Sequence, residues 1–239
     1  MIDKFRESVR ATVEKVPDGA SIAVGGFGNA GVPRTLINAL CELDRTGLHI
    51  VSNNAGIDPT GLGRLAGEGR IRKFTGSFPT NDVFTRQLMT GKAELELVPQ
   101  GTLAERLRAA GAGIFGFYTP TSAGTILADG SYPARFDADG IPVGYMEAKE
   151  QRQLGGRQVV LEHPLHVDFA FVHAHRADRL GNLQFRLSAR NFNLPAAMAA
   201  THTIVDAEEL VDVGEIEPDH VHLPGIYVDD VVHTDPGAK

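Results

Sequence analysis

Residues 18–33 constrain this chain more than any other stretch. They read Asp-Gly-Ala-Ser-Ile-Ala-Val-Gly-Gly-Phe-Gly-Asn-Ala-Gly-Val-Pro. The apolar run Ile22-Ala23-Val24 has the length and composition of a buried strand. It stops at Gly25-Gly26-Phe27-Gly28, and Pro33 then precedes the periodic run Leu36, Ile37, Leu40, Cys41 and Leu43. Proline suits the first position of a helix, where the backbone N–H has no partner to lose. Strand, glycine turn and helix in that order set exposed N–H groups and a helix N-terminus beside the end of a strand. That arrangement suits an anion or a carbonyl oxygen. Gly25, Gly26, Phe27 and Gly28 are therefore candidates to shape a ligand site. One or two of these glycines also serve a tight turn and close helix–strand packing.

Gly26-x-Gly28-x-x-Gly31 matches the dinucleotide fingerprint in its local context. That fingerprint also needs an acidic residue about 20 positions on, at the end of the second strand, to hold a ribose hydroxyl. Here the second strand, Leu48-His49-Ile50-Val51, runs into Ser52-Asn53-Asn54, with neither a carboxylate nor an arginine. A dinucleotide-dependent oxidoreductase is thus the alternative reading rather than the leading one.

The first half of the chain alternates short apolar strands with helical patterns, which marks a parallel α/β sheet. The pattern predicts a helix near 59–68, a strand near 71–75, a helix near 80–90 and a strand at 94–98. Thr102-Leu103-Ala104-Glu105 reads as a capping box opening a helix that runs to about residue 110. Residues 111–125, rich in Gly, Thr and Pro, read as a structured loop. From 129 to 162 turn signals take over: Asp129-Gly130, Asp139-Gly140 and Gly155-Gly156 predict antiparallel hairpins beside the main sheet. The parallel pattern returns at 167–172 and 203–205. The expected fold is an open, mostly parallel α/β sheet flanked by helices, one domain over residues 1–239 with a small hairpin subdomain inserted at 129–162.

At 239 residues and 42% apolar content the chain can bury a full core. A net charge of −7 argues against a nucleic-acid or anionic-membrane surface. Met1–Glu7 reads as the start of a charged amphipathic helix and not as a signal peptide, and no apolar run reaches membrane length. The single cysteine, Cys41, cannot form an internal disulfide, and its place on the buried face of the first long helix fits a reducing, cytoplasmic setting.

Gln100 is the first candidate for chemistry. It follows a strand and precedes a helix, at the edge where open α/β sheets bind ligands. A carboxamide there can donate an N–H to an oxygen on which negative charge develops; the plainer reading has it shield the helix end. Asn53 and Asn54 end the second strand and are expected to face the same crevice. Their amides suit a carboxylate or carbonyl, or else cap the helix near Pro59. Phe27 and Phe117, each on a glycine-rich loop, either wall an apolar substrate portion or pack in the core. His173-x-His175 and His220-x-His222 pair imidazoles on one side of extended segments, but the further ligands of a zinc site are missing, so no metal is expected.

Asp18-Gly19, Gly25-Gly26-Phe27 and Gly31-x-Pro33 together resemble the signature of the A subunit of family I CoA-transferases. The resemblance continues through Ser52-Asn53-Asn54-Ala55-Gly56, Val98-Pro99-Gln100-Gly101-Thr102-Leu103-Ala104-Glu105-Arg106, Phe117-Tyr118-Thr119-Pro120-Thr121, Ala189-Arg190-Asn191-Phe192-Asn193 and Pro218-Asp219-His220. It is similar to the 3-oxoacid and 3-oxoadipate types. The resemblance implies transfer of CoA from succinyl-CoA to a 3-oxoacid such as acetoacetate or 3-oxoadipate. It implies an oxyanion role for Gln100, and no cofactor beyond coenzyme A as a substrate. It also implies covalent catalysis by a glutamate in a Ser-Glu-Asn-Gly segment of a B subunit. This chain has no Glu-Asn dipeptide. The implied nucleophile therefore comes from a partner chain, in a hetero-oligomer of two A and two B subunits. Arg190 could pair with a carboxylate or a CoA phosphate, though a structural ion pair is the plainer reading. One departure lies at Phe78-Pro79-Thr80-Asn81-Asp82, where those enzymes carry a Val-Gly-Glu-Asn loop one residue longer. A non-catalytic ligand-binding domain on the same fold is the remaining alternative.

Overall fold

The computed structural model describes residues 2–56, 60–235 and 237. In chain order the elements open with α1 (Val9–Val13), β1 (Ser21–Val24), α2 (Arg34–Cys41), β2 (Leu48–Asn54) and α3 (Leu62–Gly67). β3 (Ile71–Phe78), α4 (Asp82–Met89), β4 (Glu94–Leu97) and α5 (Gln100–Gly111) follow. Short strands β5 (Phe117–Thr119), β6 (Pro133–Phe136), β7 (Pro142–Tyr145), β8 (Gln151–Leu154) and β9 (Arg157–Glu162) come next. The chain closes with β10 (Val167–Asp178), β11 (Leu183–Gln184), α6 (Asn193–Ala199), β12 (Ala200–Val211) and β13 (Asp230–His233).

The main sheet runs β13-β12-β10-β1-β2-β3-β4, parallel throughout, with β11 paired antiparallel to β10. Both faces are covered, which is why its strands are apolar on both sides. Leu36, Ile37, Leu65, Phe74 and Phe84 belong to the core under α1 to α4, while Val51, Leu103, Leu107, Ala170 and Ala196 belong to the one under α5 and α6. The chain steps from β1 toward β4 in one direction and returns to β10 on the other side of β1. The order therefore reverses between β1 and β10, where ligands bind in sheets of this kind.

Three local expectations are corrected. Residues 2–7 do not start a helix: Phe5 bridges to Val231 in a parallel sense, extending the sheet, and the helix waits for Ser8, whose Oγ accepts from Ala11 N at 3.1 Å. The Thr102–Glu105 capping box does not form. Pro99 is the N-cap, Leu103 N already donates to Pro99 O at 2.8 Å, and Thr102 lies buried inside α5 while Glu105 pairs with Arg108. α2 likewise opens one residue past Pro33, which is its N-cap. Pro59, where the next helix was expected to begin, lies outside the described residues, and α3 starts at Leu62 after Gly61.

The inserted region consists of antiparallel pairs, as its turn signals predicted: β6 with β7, and β8 with β9 around Gly155-Gly156. It begins earlier than expected, because β5 joins β9 within the segment read as a loop.

Candidate active site

The four glycines of the turn after β1 serve different needs. Gly25 and Gly31 are made necessary by Asn193, which is fully buried at the start of α6. Asn193 Nδ2 donates to Gly31 O and Ala189 O, both at 2.8 Å, and its Oδ1 accepts from His173 N at 2.9 Å. A Cβ on Gly25 would lie 1.9 Å from Asn193 Oδ1, and one on Gly31 would lie 2.7 Å from its Nδ2. Gly26 lies against Val32 with φ +106°. Only Gly28, at φ +56°, has open space where a side chain would go. It sits at the tip of a closed turn in which Phe27 and Ala30 exchange two backbone hydrogen bonds of 3.0 Å. Gly25 and Gly26 are buried, so their part is to bring the backbone close and leave Phe27 outside.

The helix N-terminus beside this turn does attract an anion, and the chain supplies it. Thr35 N donates to Asp206 Oδ2 at 3.1 Å, and Asp206 Oδ1 pairs with His173 Nδ1 at 2.7 Å. Burial works against the His173 imidazolium, but the Asp206 and Glu208 carboxylates together more than offset it, so the histidine's pKa is raised. A dinucleotide's pyrophosphate would need the place this carboxylate holds. His175 in turn pairs with Glu208 at 2.7 Å, and His222 Nδ1 accepts from Phe185 N at 2.9 Å.

A cavity of about 440 Å³ lies on the α5–α6 side of the sheet's carboxyl edge. Phe27, Gln100, Gly101, Ala104, Asn191, Phe192 and Pro195 line it. Gln100 is the first residue of α5, immediately after the Pro99 cap. Its carboxamide makes no hydrogen bond to the described residues, and Gly101 beside it has open space at its Cβ. Asn191 is held for its neighbours, with Nδ2 donating to Ala30 O at 3.0 Å and Ser188 O at 2.7 Å. Phe27, 45% exposed, closes the cavity from the turn.

The other expected residues do not all converge here. Asn53 and Asn54 are neighbours on a strand, so they point to opposite faces of the sheet. Asn53 shares the α5 face with Val51 and is buried. Among the described residues its Oδ1 has no partner, and neither does Ser77 Oγ, one strand over. Buried polar atoms of this kind are met by water or ligand, but neither residue lines the cavity beside Gln100. Asn54 and Gly28 line a second, smaller cavity on the α2–α3 side. Neither asparagine caps a helix: Asn54 Oδ1 accepts from Gly56 N at 3.0 Å. Phe117 lines neither cavity, because β5 pairs with β9 and is carried off into the antiparallel sheet. In the shortened loop, Asn81 caps α4 through Val83 N and Phe84 N at 2.8 and 3.1 Å, and donates to Gly56 O at 3.0 Å.

Sequence reasoning missed Asn191, Phe192, Asn193 and Pro195 as site builders. They arrive from about 160 residues away in the chain, and the only local signal was the polar–aromatic–polar run Asn191-Phe192-Asn193.

The sequence profile of the family described as Coenzyme A transferase matches residues 6–234. The A chain of a probable succinyl-CoA:3-ketoacid coenzyme A transferase from Mycobacterium tuberculosis is 48% identical over 239 residues, covering 100% of this chain and 96% of its own. The A chain of a 3-oxoadipate CoA-transferase from Pseudomonas putida is 46% identical over 235 residues, covering 97% and 94%. Among solved structures, an acyl-CoA transferase from E. coli O157:H7 in a thioester complex with CoA superposes with a TM-score of 0.78 at 22% identity. That superposition takes in 99% of this chain and 48% of the E. coli polypeptide, so this chain spans about half of it. This chain belongs to the coenzyme A transferase family.

Proposed function

We propose that this chain is the A subunit of a two-chain enzyme that moves CoA from succinyl-CoA to a 3-oxoacid, acetoacetate or 3-oxoadipate. What carries this reading is the 440 Å³ cavity beside Gln100. None of its lining residues bears a carboxylate, thiol, hydroxyl or imidazole, yet Gln100 offers a free amide at the carboxyl edge of the sheet. The cavity can polarise an acyl oxygen but cannot attack an acyl carbon.

The attack comes from a glutamate of the B subunit. Its carboxylate adds to the succinyl-CoA carbonyl and CoA thiolate leaves, giving a succinyl-glutamyl anhydride. The thiolate then attacks the glutamyl carbonyl, releasing succinate and leaving a glutamyl-CoA thioester. The oxoacid carboxylate displaces CoA from that thioester to form a second anhydride. The thiolate finally attacks the oxoacyl carbonyl, freeing the glutamate and the new acyl-CoA. At each addition the carbonyl oxygen gains negative charge, which the Gln100 Nε2–H donates to. Phe27 and Phe192 wall the acyl chain. CoA is a substrate, and the exchange needs no further cofactor. The enzyme is an A2B2 assembly in this reading, and a reducing cytoplasm accords with the buried Cys41, which has no disulfide and whose thiol burial pushes up to about 11.

The test is a reconstitution with the B subunit, followed by reduction of the succinyl-CoA-treated enzyme with tritiated borohydride. Label is expected on a glutamate of the second chain. Label on a residue of this chain would overturn the assignment.

A further inference from the structure

The segment 186–190 leads directly into Asn191 and Phe192, which line the Gln100 cavity. Its backbone is pinned from two sides. Asn191 Nδ2 donates to Ser188 O at 2.7 Å and across to Ala30 O in the glycine turn at 3.0 Å. Asn193 Nδ2 donates to Ala189 O at 2.8 Å. Within this frame Leu187 holds φ +51°, a left-handed conformation that a bulky residue avoids. Its side chain is 88% exposed, so no packing within the chain repays the strain. Strain held in this way beside a cavity points to a role at the site.

Arg186 and Arg190 flank Leu187, and both are exposed. The structural ion pair expected of Arg190 does not form, and among the described residues neither arginine meets a carboxylate. Arg176 and Arg179, a few residues earlier, are by contrast paired with Glu209 and with Asp3. The surroundings are positive as well. His222 stacks on Phe185, next to Arg186, with ring centroids 6.2 Å apart. Burial lowers its pKa, and so do the charges of Arg190 and His220. In a chain of net charge −7 such a place draws an anion.

A stiff turn that projects two free guanidiniums and an apolar tip suits an anion joined to an apolar arm. Guanidinium forks match phosphate oxygens in pairs. The acyl-CoA of the proposed reaction has that build. With its thioester beside Gln100, its pantetheine arm must lead out of the cavity to a pyrophosphate and a 3′-phosphate. We infer that Arg186 and Arg190 bind these phosphates, with Leu187 against the arm, an inference that rests on the transferase reading. This chain then holds the nucleotide end of the acyl-CoA as well as its carbonyl.

The experiment compares two donors in the reconstituted two-chain enzyme: succinyl-CoA, and succinyl-pantetheine, which keeps the thioester and lacks the phosphates. In the double variant Arg186→Gln, Arg190→Gln the KM for succinyl-CoA is expected to rise at least tenfold with kcat within twofold. The kcat/KM for succinyl-pantetheine is expected to stay within twofold. A KM for succinyl-CoA within twofold of the original overturns the site. An equal loss with both donors also overturns it, because the arginines then serve the cavity and not the phosphates. So does a double variant that no longer assembles with the B subunit. Adenosine 3′,5′-bisphosphate is expected to compete with succinyl-CoA at least tenfold better than inorganic phosphate; equal potency makes the turn a general anion patch and overturns the assignment to CoA. If no acid accepts CoA, the transferase reading fails by itself. The site is then judged by calorimetric titration of the two-chain complex with CoA: affinity at least tenfold weaker in the double variant supports it, and equal affinity overturns it.

Discussion

A methyl group at Gly25 would meet Asn193 Oδ1 at 1.9 Å, whereas one at Gly28 would meet nothing within 4 Å. The two substitutions therefore separate the structural part of the turn from its exposed tip. Gly25→Ala must expel Asn193 and leave His173 N, Gly31 O and Ala189 O without their partner. A loss of about 3 kcal/mol or more is expected. Gly28→Ala pays only for a left-handed backbone, about 1 kcal/mol. Urea denaturation of the two variants checks the contrast, and equal losses would mean that Asn193 does not hold the turn. Gln100 is half-buried, first in its helix and unpartnered, so removing its amide disturbs little besides the cavity. Gln100→Ala in the two-chain enzyme is expected to lose about a hundredfold in kcat, as other oxyanion donors do, with the melting temperature held within a few degrees. A loss below threefold would remove Gln100 from the chemistry.

At the scale of elements, what could be read from the chain was whatever depends on near neighbours. The strand–glycine–helix unit at 21–41, the alternation through β4 and the hairpin at Gly155-Gly156 all follow from local periodicity and turn chemistry. Elements set by distant partners were misread. Phe5 belongs to the sheet because Val231 is there, and β5 is a strand because β9 pairs with it. Pro99 outranked the Thr102 capping box because its carbonyl already accepts from Leu103 N, so α5 starts three residues early and puts Gln100 at its head. The cavity was half legible for the same reason: Phe27 and Gln100 lie in recognisable turns, while Asn191–Pro195 reach it only through folding. The inserted sheet is tied to the main one by charges that no local pattern announces. Arg106 Nη1 donates to Glu96 Oε1 at 2.7 Å, Lys73 pairs with Glu96 at 2.9 Å, and buried Glu162 binds Lys149 with Arg106 nearby. Glu162→Gln leaves Lys149 and Arg106 without that counter-charge, at a cost of about 3 kcal/mol. Faster proteolysis within 117–162 is the expected sign, and an unchanged cleavage rate would show that the network does not anchor the insertion.

For the molecule as a whole, acid sensitivity follows from two groups under the β2–β4 half of the sheet. Burial, helped by Lys73, pushes His49 down to about 4, so in the fold it stays neutral where an unfolded histidine would protonate at about 6.5. Unfolding thus takes up a proton below pH 6.5, and stability falls as the pH drops toward 4. At pH 5 the loss from His49 is about 2 kcal/mol. Burial alone would raise Glu96, but Arg106 and Lys73 prevail and hold it at about 2. Its contribution is therefore full above about pH 4.5 and drains away below it. Relative to the unmutated chain, His49→Gln should flatten the fall in melting temperature between pH 7 and 5; a parallel fall in both would contradict this assignment.

On the proposed reading the molecule by itself is an incomplete catalyst: the cavity beside Gln100 has the donor for an oxyanion but no group to attack a thioester. The most direct measurement is the initial rate of CoA exchange between succinyl-CoA and a 3-oxoacid, with the purified chain held fixed and the B subunit titrated in. The expected curve starts at the uncatalysed rate and rises to saturation as the second chain is added. Full exchange by this chain before any partner is present would contradict the account.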